Sequence, residues 1–490
     1  MYFQKFSDRF LALPWLAFLV TAWIVLVSAP ARVLGERPVW LLALGTPVFA
    51  AICWWAPKVR FPRVDATRPL LERRALTIAI GLTAAGVALR VAWVCFVTPV
   101  QVSDFKEYWD LARNLLATGE YAWNTPGGKW YAYRAPGYTF FLAACMKVFG
   151  EHALIPAVTN TVLYAAASGV LYRMTARLAG RVPALVAVAL FAIWPSSIAL
   201  TGVAAYEALF TLLCLLSLHG MMRSERTGAR GAFWAGVVNG LAVLVRPTVL
   251  LMPAVWALYK LSGRERRSTA AGHLALAALG MAAMVLPWTA RNHAVGIPTT
   301  VSANGGMALF LAANPTVGAD YDERAALDLV KELHWDERAV AVESGRRAKE
   351  FIKANPWTWL RNNVERQVVF LGDDSAGFYW SLRIPYDSKG AAYSILQAVA
   401  HVWWVAVWAL ALAGTVRARA RFAADRDWQL LGWVLLLFVA TAFPFCSVAR
   451  YHMPFVPLAL IAAGYVWARR TAVMTLDGRG EAPPAAAVAA

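Results

Sequence analysis

The chain has 490 residues, of which 59% are hydrophobic and only 16% are charged, and it contains 23 tryptophans. Its mean hydropathy of +0.50 and its low charged fraction, against roughly 25% in ordinary globular chains, exclude a soluble globular protein. The net charge of +18 does not indicate nucleic-acid binding, because the basic residues cluster in short links between apolar runs, as they do in membrane proteins.

Apolar runs long enough to cross a bilayer follow one another along most of the chain. A membrane helix needs about 20 apolar residues. This criterion predicts spans near 11–28, 39–57, 75–97, 154–178, 182–198, 204–222, 271–289, 396–414, 429–446 and 452–468. The run 232–261 adds two short helices that break at Arg246-Pro247, because proline removes a backbone donor and disfavours helix in the residue before it. The predicted fold class is an all-α polytopic membrane protein with about 12 transmembrane helices.

Lysine and arginine in the links set the predicted orientation. With twelve spans, every basic cluster from 58–74 to 469–470 falls on the cytoplasmic side, as the positive-inside rule requires. A thirteenth crossing at 136–150 would move all the later clusters outward. The segment 136–150 is therefore predicted to be an interfacial or re-entrant helix that does not cross the membrane.

The spans divide the chain into five predicted parts. These are 1–74 (two helices and a basic cytoplasmic link), 75–290 (a transmembrane core with a first outer loop at 98–153), 291–395 (an extracytoplasmic domain), 396–468 (C-terminal membrane helices) and 469–490 (a disordered cytoplasmic tail). The outer domain has acids and bases in near balance. One or two helices are predicted over 322–353, with a new start near Asn355-Pro356.

The first outer loop mixes acids, bases and aromatic residues between apolar flanks. From 104 to 116 the pattern predicts a short helix with rings on one face, including Phe105 and Leu116, which is typical of a helix on a membrane surface. Asp104 follows the third span, so its carboxylate is predicted to lie at the outer membrane face. There it could act as a general base with a raised pKa, or hold a divalent metal ion. The alternative is a helix N-cap.

Two further charged residues lie where the chain meets lipid. Arg134, at the start of the second interfacial helix, has the guanidinium fork that suits the oxygens of a phosphodiester, although snorkelling to the interface is an alternative. Glu207 begins an apolar run about one helical turn below the outer surface. An acid at that depth is costly, and it faces either a cavity or a structural arginine partner.

Three more arginines, Arg246, Arg291 and Arg450, map to the outer side. Basic groups that converge where acids also gather would form an anion site for a lipid phosphate, although each could instead anchor a helix end. His452 is either a metal ligand or a structural histidine at a helix start. The sequence contains no HExxH, GxGxxG or P-loop motif, so zinc peptidase and nucleotide-driven chemistry have no support.

The order of these motifs resembles that of GT-C class membrane glycosyltransferases. It is most similar to glycosyltransferase family 39, which contains protein O-mannosyltransferases and lipid A aminoarabinose transferases. The pieces that carry the resemblance are an Asp after an early span, Arg134-Ala-Pro-Gly-Tyr, Trp194-Pro-Ser, Tyr206-Glu207, Val245-Arg246-Pro247, Leu286-Pro-Trp-Thr-Ala-Arg-Asn, Asn304-Gly-Gly, Ala313-Asn-Pro and Arg450-Tyr451. The resemblance covers roughly 75–468, and the two spans before it look like an addition.

The resemblance implies a GT-C-like fold, a polyprenyl-phosphate-linked sugar donor and transfer on the non-cytoplasmic face. The residues that it implies are Asp104 and Glu207 for catalysis, Arg134, Arg291, Arg450 and Arg246 for the donor phosphate, and Tyr108, Tyr138 and Tyr206 for the substrate pocket. Many relatives have Asp-Glu at the first position, whereas Phe105 follows Asp104 here. Whether a divalent metal binds at Asp104 therefore stays open.

A transporter or flippase of lipid-linked sugars is the competing hypothesis. Transporters place polar residues near the midplane and carry paired repeats with interrupted helices, whereas the candidates here gather at the outer face beside large outer segments. Mainly because of the resemblance, an inverting sugar transferase in a bacterial inner membrane is favoured, with its site on the periplasmic or extracellular face. The expected partners are the lipid donor, membrane lipids and a glycolipid, polysaccharide or protein acceptor, with no nucleic acid.

Overall fold

Helices make up nearly all of the chain that the computed structural model describes, which is residues 2–33, 46–47, 49–51, 53–54, 67–98, 100–261, 266–316, 323–445 and 448–469. The first half contains α1 (Tyr2–Val33), α2 (Arg68–Arg73), α3 (Ala75–Phe96), α4 (Ser103–Thr118), β1 (Trp123–Thr125), β2 (Gly128–Trp130), α5 (Pro136–Phe149), α6 (Ile155–Ala179), α7 (Arg181–Ala192), α8 (Pro195–Ala199) and α9 (Glu207–Val245).

The second half contains α10 (Met252–Leu261), α11 (Arg267–Ala294), α12 (Gly305–Phe310), α13 (Glu323–Glu332), α14 (Glu337–Ala354), α15 (Pro356–Gly372), α16 (Ala376–Phe378), α17 (Ile384–Tyr386), α18 (Ala391–Arg417), α19 (Arg419–Ala424), α20 (Arg426–Ala442) and α21 (Val456–Gly464). Short 3-10 turns lie at Leu200–Gly202, Pro247–Val249, Ala449–Phe455 and Tyr465–Trp467, and a π-helical turn lies at Tyr379–Arg383.

Five helices in the described part of the chain are long and apolar enough to cross a membrane: α3, α6, α11, α18 and the Arg226–Val245 part of α9. The pair Arg181–Ala192 and Pro195–Gly202, bent by 49°, makes a sixth if it counts as one span. The chain is therefore a helical integral membrane protein, but the predicted number of about 12 spans is not confirmed. At the C-terminal end, for example, α21 has only 9 residues, fewer than a full crossing needs.

Breaks in the apolar helices follow glycine and proline. The predicted break at Arg246-Pro247 is confirmed, since α9 ends at Val245 and Arg246 is extended. The predicted link near residue 225 is instead helical, and α9 continues through a kink at Gly228, whose φ of 62° is accessible to glycine at little steric cost. Most of the predicted span 39–57 and of the tail 469–490 lies outside the described residues.

The first outer loop contains the helix that was predicted after residue 103, together with a hairpin that the all-α prediction missed. The strands β1 and β2 pair antiparallel, with Trp123 opposite Trp130. Their link is Pro126-Gly127, and Gly128 has a φ of 135°. A proline and two glycines between aromatic residues are a hairpin signal, which the predicted all-α fold class did not take into account.

The orientation of α4 differs from the prediction. Phe105 and Ala112, expected to face lipid, are fully buried within the protein, and only Leu116 on that side is exposed, at 43%. Asp104, expected at the outer membrane face, is buried within the protein. The helix therefore packs between other elements instead of lying on a membrane surface with its charged side free.

The outer segment after α11 packs against the first outer loop. Its helices α13 and α14 confirm the prediction for 322–353, and α15 begins at Pro356 as expected. Trp130 of β2 joins the hydrophobic cluster of this segment, and its Nε1 donates to the carbonyl oxygen of Trp335 at 2.6 Å. The carboxylate of Glu337 accepts from the backbone N–H groups of Tyr131 and Ala132, at 2.5 and 2.8 Å. These contacts fix the loop beside the outer helices.

Replacing Glu337 by glutamine is expected to loosen this attachment. A glutamine has one oxygen to offer two N–H groups, and an unpaired buried donor costs about 1–3 kcal/mol. We expect faster tryptic cleavage after Lys129, which is exposed in the hairpin. Glu350→Gln is the control, because Glu350 makes only an exposed ion pair with Arg346 on the same helix. Equal cleavage rates for both variants would show that Glu337 does not hold the loop.

Candidate active site

Two acids and one arginine from distant parts of the chain meet in a buried cluster. Asp104 lies in the first turn of α4, Glu207 begins α9, and Arg450 lies in the 3-10 turn Ala449–Phe455. Arg450 Nη2 donates to Asp104 Oδ2, and Arg450 Nε lies 3.7 Å from Glu207 Oε1. All three side chains are buried, with 8% exposure or less. A buried arginine is stable there because the two acids compensate its charge.

Asp104 does not cap α4, so the alternative role that the sequence offered for it is wrong. No side chain caps α4, and the N-cap position is Val102. Ser103, immediately before Asp104, has a φ of 51°, a conformation that is uncommon for a residue with a Cβ and often marks a functional turn. The backbone therefore turns sharply just where the carboxylate enters the cluster.

The expected rise in the pKa of Asp104 was wrong. Burial by itself raises the pKa of this carboxyl, but the charges of Arg450 and then Arg134, with the hydrogen bond from Arg450, outweigh it and hold the pKa below its ordinary value of 3.8. Asp104 is therefore ionised throughout the physiological range. The interpretation from sequence considered desolvation and had no means to include a partner 346 residues away.

This low pKa predicts a flat response of stability to pH. A carboxyl whose pKa is depressed by folding contributes stability above its unfolded value, and the contribution is lost only as the pH falls through the folded value. The difference in Tm between the wild type and Asp104→Asn, measured in detergent, should therefore stay constant from pH 5 to pH 8. A difference that changes steadily across this interval would mean that Asp104 titrates there.

Arg134 pairs with a carboxylate that the motif did not single out. Its Nε and Nη2 both lie 2.6 Å from Glu107 Oε2, and both side chains are half-buried. Glu107 is three residues after Asp104 on α4, so the two acids share one face of the helix. Arg134 is not bonded to Asp104, but it lies close enough to lower the pKa of that carboxyl.

The three predicted pocket tyrosines come together between these charges. The ring of Tyr108 lies 5.4 Å from that of Tyr138 and 5.8 Å from that of Tyr206. Arg246 Nη1 donates to the hydroxyl of Tyr206 at 2.9 Å, and the Arg246 guanidinium lies 3.6 Å from the centre of the Tyr451 ring. The predicted convergence of acids, arginines and tyrosines is thus present, and Arg246 belongs to it.

Several polar atoms of this cluster have no hydrogen-bond partner within the described residues. They are Asp104 Oδ1, both carboxylate oxygens of Glu207, Nε and Nη1 of Arg450, and the hydroxyl of Tyr138. Buried polar groups are nearly always paired in folded proteins. Unpaired acceptors and donors side by side are therefore suited to a polar ligand.

Arg291 lies in different surroundings. Its Nη1 donates to the carbonyl oxygen of Tyr131 at 2.5 Å, and its Nη2 donates to that of Tyr121 at 3.0 Å. Its guanidinium also lies 4.8 Å from the centre of the Trp288 ring. These contacts attach the first outer loop to the end of α11. Binding of a donor phosphate by Arg291 stays a prediction without a direct contact to the Asp104 cluster.

The sequence interpretation also missed a buried pair close to Arg450. His452 Nε2 lies 3.0 Å from Asp374 Oδ1, and Trp194 Nε1 donates to Asp374 Oδ2 at 2.9 Å. The imidazole is stacked on Trp404, with ring centres 4.4 Å apart. These contacts correspond to the structural alternative for His452. Asp374 belongs to no recognisable sequence motif, because it contacts His452 only when the end of α15 and the 3-10 turn pack together.

The residues around Asp104 do not fit a divalent metal ion. A Mg²⁺ or Ca²⁺ site needs several oxygen ligands, but the nearest partner of this carboxylate is the guanidinium of Arg450, which would repel a cation. Throughout the described ranges, no three His, Cys, Asp or Glu side chains are grouped as metal ligands. We therefore derive no chemical step through a metal.

Taken with the apolar helices, this site defines an integral membrane protein with a buried acid–arginine centre. Residues 133–290 match the family model described as dolichyl-phosphate-mannose-protein mannosyltransferase. The match confirms the resemblance to GT-C membrane glycosyltransferases that the motifs indicated. The matched segment includes Arg134, Glu207 and Arg246. Asp104 and Arg450 lie outside it.

Two solved structures are similar to the chain over about four fifths of its length. Archaeal oligosaccharyltransferase AglB from Archaeoglobus fulgidus, in complex with an inhibitory peptide and a dolichol-phosphate, is 12% identical, with a TM-score of 0.49, over 80% of this chain and 50% of its own. ArnT from Cupriavidus metallidurans, bound to undecaprenyl phosphate, is 13% identical, with a TM-score of 0.36, over 79% and 77%. The chain thus spans about half the length of AglB. No curated protein sequence matches it.

Proposed function

We propose that the protein is an inverting glycosyltransferase that moves a sugar from a polyprenyl-phosphate-linked donor to an acceptor on the non-cytoplasmic face. The observation that carries the proposal is the buried cluster of Asp104, Glu207 and Arg450, whose unpaired atoms could accept and donate hydrogen bonds to a substrate. The family match over 133–290 supports the reaction class. The positive-inside pattern supports the non-cytoplasmic side. The outer domain at 291–395 and the other predicted domain boundaries are part of the same proposal.

The proposed reaction is one displacement at the anomeric carbon. The acceptor oxygen forms a bond to that carbon while the bond to the phosphate oxygen breaks, and the electron pair leaves with the phosphate. Asp104 orients the acceptor hydroxyl and takes its proton. Because the pKa of Asp104 is low, it is a weak base that is always in the ionised form, and proton transfer is expected late in the step. A single displacement inverts the configuration.

The leaving phosphate is best placed beside Arg246. Arg450 is already compensated by two acids, and Arg134 is compensated by Glu107. Arg246 makes no ion pair among the described residues and holds the hydroxyl of Tyr206. A cation without an acidic partner gives the strongest attraction to an incoming anion, and stabilising the charge that develops on the leaving group lowers the barrier.

The test uses purified protein in lipid vesicles with a radiolabelled polyprenyl-phosphate sugar and envelope glycolipids, polysaccharide or peptide as acceptor. A transferase forms a new labelled glycoconjugate. A transporter moves the label across the bilayer and leaves the donor intact, and this result would favour the competing hypothesis. Mass spectrometry of the envelope glycolipids with and without the protein then identifies the sugar and the acceptor.

A further inference from the structure

Aromatic rings surround the guanidinium of Arg450, and one of these rings comes from the segment that follows α15. The centre of the Trp380 ring lies 5.3 Å from the guanidinium carbon, and the centre of the Phe105 ring lies 4.7 Å from it. The rings of Tyr206 and Tyr451 are at 6.0 and 5.3 Å. Rings at such distances attract a guanidinium through their negative faces. Trp380 also meets the ring of Phe105 edge-on, with ring centres 5.3 Å apart.

Trp380 forms part of the boundary between this buried cation and the outside of the protein. Arg450, Phe105 and Tyr206 are 4%, 0% and 5% exposed. Of the four rings, only those of Trp380 and Tyr451 belong to half-buried residues. Tyr451 is next to Arg450 in the 3-10 turn, whereas Trp380 reaches the cation from a different part of the chain. Removal of the Trp380 side chain would therefore open the cluster from outside without altering the turn that carries Arg450.

Contacts on both sides hold the π-helical turn Tyr379–Arg383, to which this tryptophan belongs. Before the turn, the N–H of Gly377 donates to Ser196 Oγ at 2.8 Å. The two backbones are so close that a Cβ on Gly377 would lie 2.2 Å from the carbonyl oxygen of Ser196. After the turn, the hydroxyl of Tyr386 donates to the carbonyl oxygen of Thr98 at 2.7 Å. The position of the ring over the cluster is therefore fixed, and π-helical turns are often found at functional sites.

Water is the nucleophile that the proposed reaction has to exclude. Its O–H group resembles that of an acceptor, and Asp104 could take its proton in the same way. In this side reaction the water oxygen bonds to the anomeric carbon, the bond to the phosphate oxygen breaks, and the electron pair leaves with the phosphate. The donor is then lost as free sugar. A site that excludes water prevents such hydrolysis and strengthens the charge interactions inside it.

We infer that Trp380 keeps water away from the cluster of Asp104, Glu207 and Arg450, and so makes the enzyme selective for its acceptor over water. This inference rests on the proposed transferase function. Within the described residues, Nε and Nη1 of Arg450 have no hydrogen-bond partner, so water that entered the cluster would bind there. A tryptophan suits this position because its large apolar ring occupies the space while its face attracts the guanidinium.

Trp380→Ala tests the inference in lipid vesicles. The donors are radiolabelled polyprenyl-phosphate mannose and polyprenyl-phosphate aminoarabinose, and extracted envelope glycolipids are the acceptor. Free labelled sugar measures hydrolysis, and labelled glycoconjugate measures transfer. The ratio of hydrolysis to transfer should rise about tenfold, because the loss of a cation–π contact to a desolvated arginine favours the hydrated cluster by about that factor. Trp380→Phe keeps a ring over Arg450 and should restore most of the wild-type ratio.

Leu382→Ala is the matched control on the same turn. Leu382 packs into a separate cluster with Phe378 and Tyr393, whereas Trp380 packs against the main core. The control therefore loosens the turn without uncovering Arg450, and its ratio of hydrolysis to transfer should equal that of the wild type. An equal rise in both variants would overturn the inference, because it would indicate a general disturbance of the turn.

Hydroxyl-radical labelling, followed by mass spectrometry, measures water access to the cluster without any sugar. The buried rings of Phe105 and Tyr206 should be labelled more in Trp380→Ala than in the wild type or in Leu382→Ala. Increased labelling, in a protein whose wild type makes no glycoconjugate, supports the exclusion of water by Trp380 and rejects the transferase. Wild-type transfer with an unchanged ratio in Trp380→Ala overturns the inference and keeps the transferase.

Discussion

Replacing Asp104 by asparagine is expected to reduce sugar transfer about a thousandfold. The substitution keeps the shape of the side chain but removes the acceptor of the hydroxyl proton, and general-base catalysis typically contributes 10²–10⁴-fold. It also removes the negative partner that Arg450 contacts through Nη2. The measurement is the initial rate of label transfer in vesicles, with donor binding determined separately. The loss should appear in kcat, because Asp104 is assigned to the chemical step and not to donor affinity.

Asp110→Asn provides the control on the same helix. Asp110 is six residues after Asp104 and forms an ion pair with Lys106 outside the buried cluster. Such pairs contribute little to stability, so this variant should transfer sugar at the wild-type rate. Wild-type activity in Asp104→Asn would remove the carboxylate from the mechanism. Equal losses in both variants would instead indicate a general disturbance of α4.

Local patterns predicted the positions of the site residues better than their partners. The Arg246-Pro247 break and the helix at Ser103–Thr118 depend on proline geometry and helical spacing, which neighbouring residues determine. Motif order then placed Asp104 and Glu207 on the same side of the membrane. The contact of both acids with Arg450 could not be predicted, because it depends on how α4, α9 and the 449–455 turn pack in three dimensions.

The wrong predictions about the site have the same cause, since they also concern contacts that form only when distant elements pack together. Burial of Asp104 alone favours a raised pKa, and only the position of Arg450 reverses the direction. Glu107 is one helical turn from Asp104 and could have been recognised as a second acid on that face. His452 and Asp374, by contrast, are 78 residues apart and carry no shared periodicity. Pairs of this kind become visible only in the folded chain.

Replacing Arg450 by methionine is expected to give the largest loss of stability. Two buried acids, Asp104 and Glu207, would then face each other without the cation between them, and removing one partner of a buried ion pair typically costs about 3–5 kcal/mol. Thermal unfolding in detergent measures the effect. Arg346→Met is the control, since the pairs of Arg346 with Glu343 and Glu350 are largely exposed and should contribute at most about 1 kcal/mol.

A double variant separates a lost ion pair from lost packing. If Arg450 stabilises the fold chiefly by compensating Asp104, then Asp104→Asn combined with Arg450→Met removes the repulsion that the single Arg450→Met variant suffers. The double variant should therefore be less destabilised than the sum of the single variants by about 1–3 kcal/mol. Strictly additive losses would mean that the two side chains act independently. The central contact of the proposed reaction centre would then have no energetic basis.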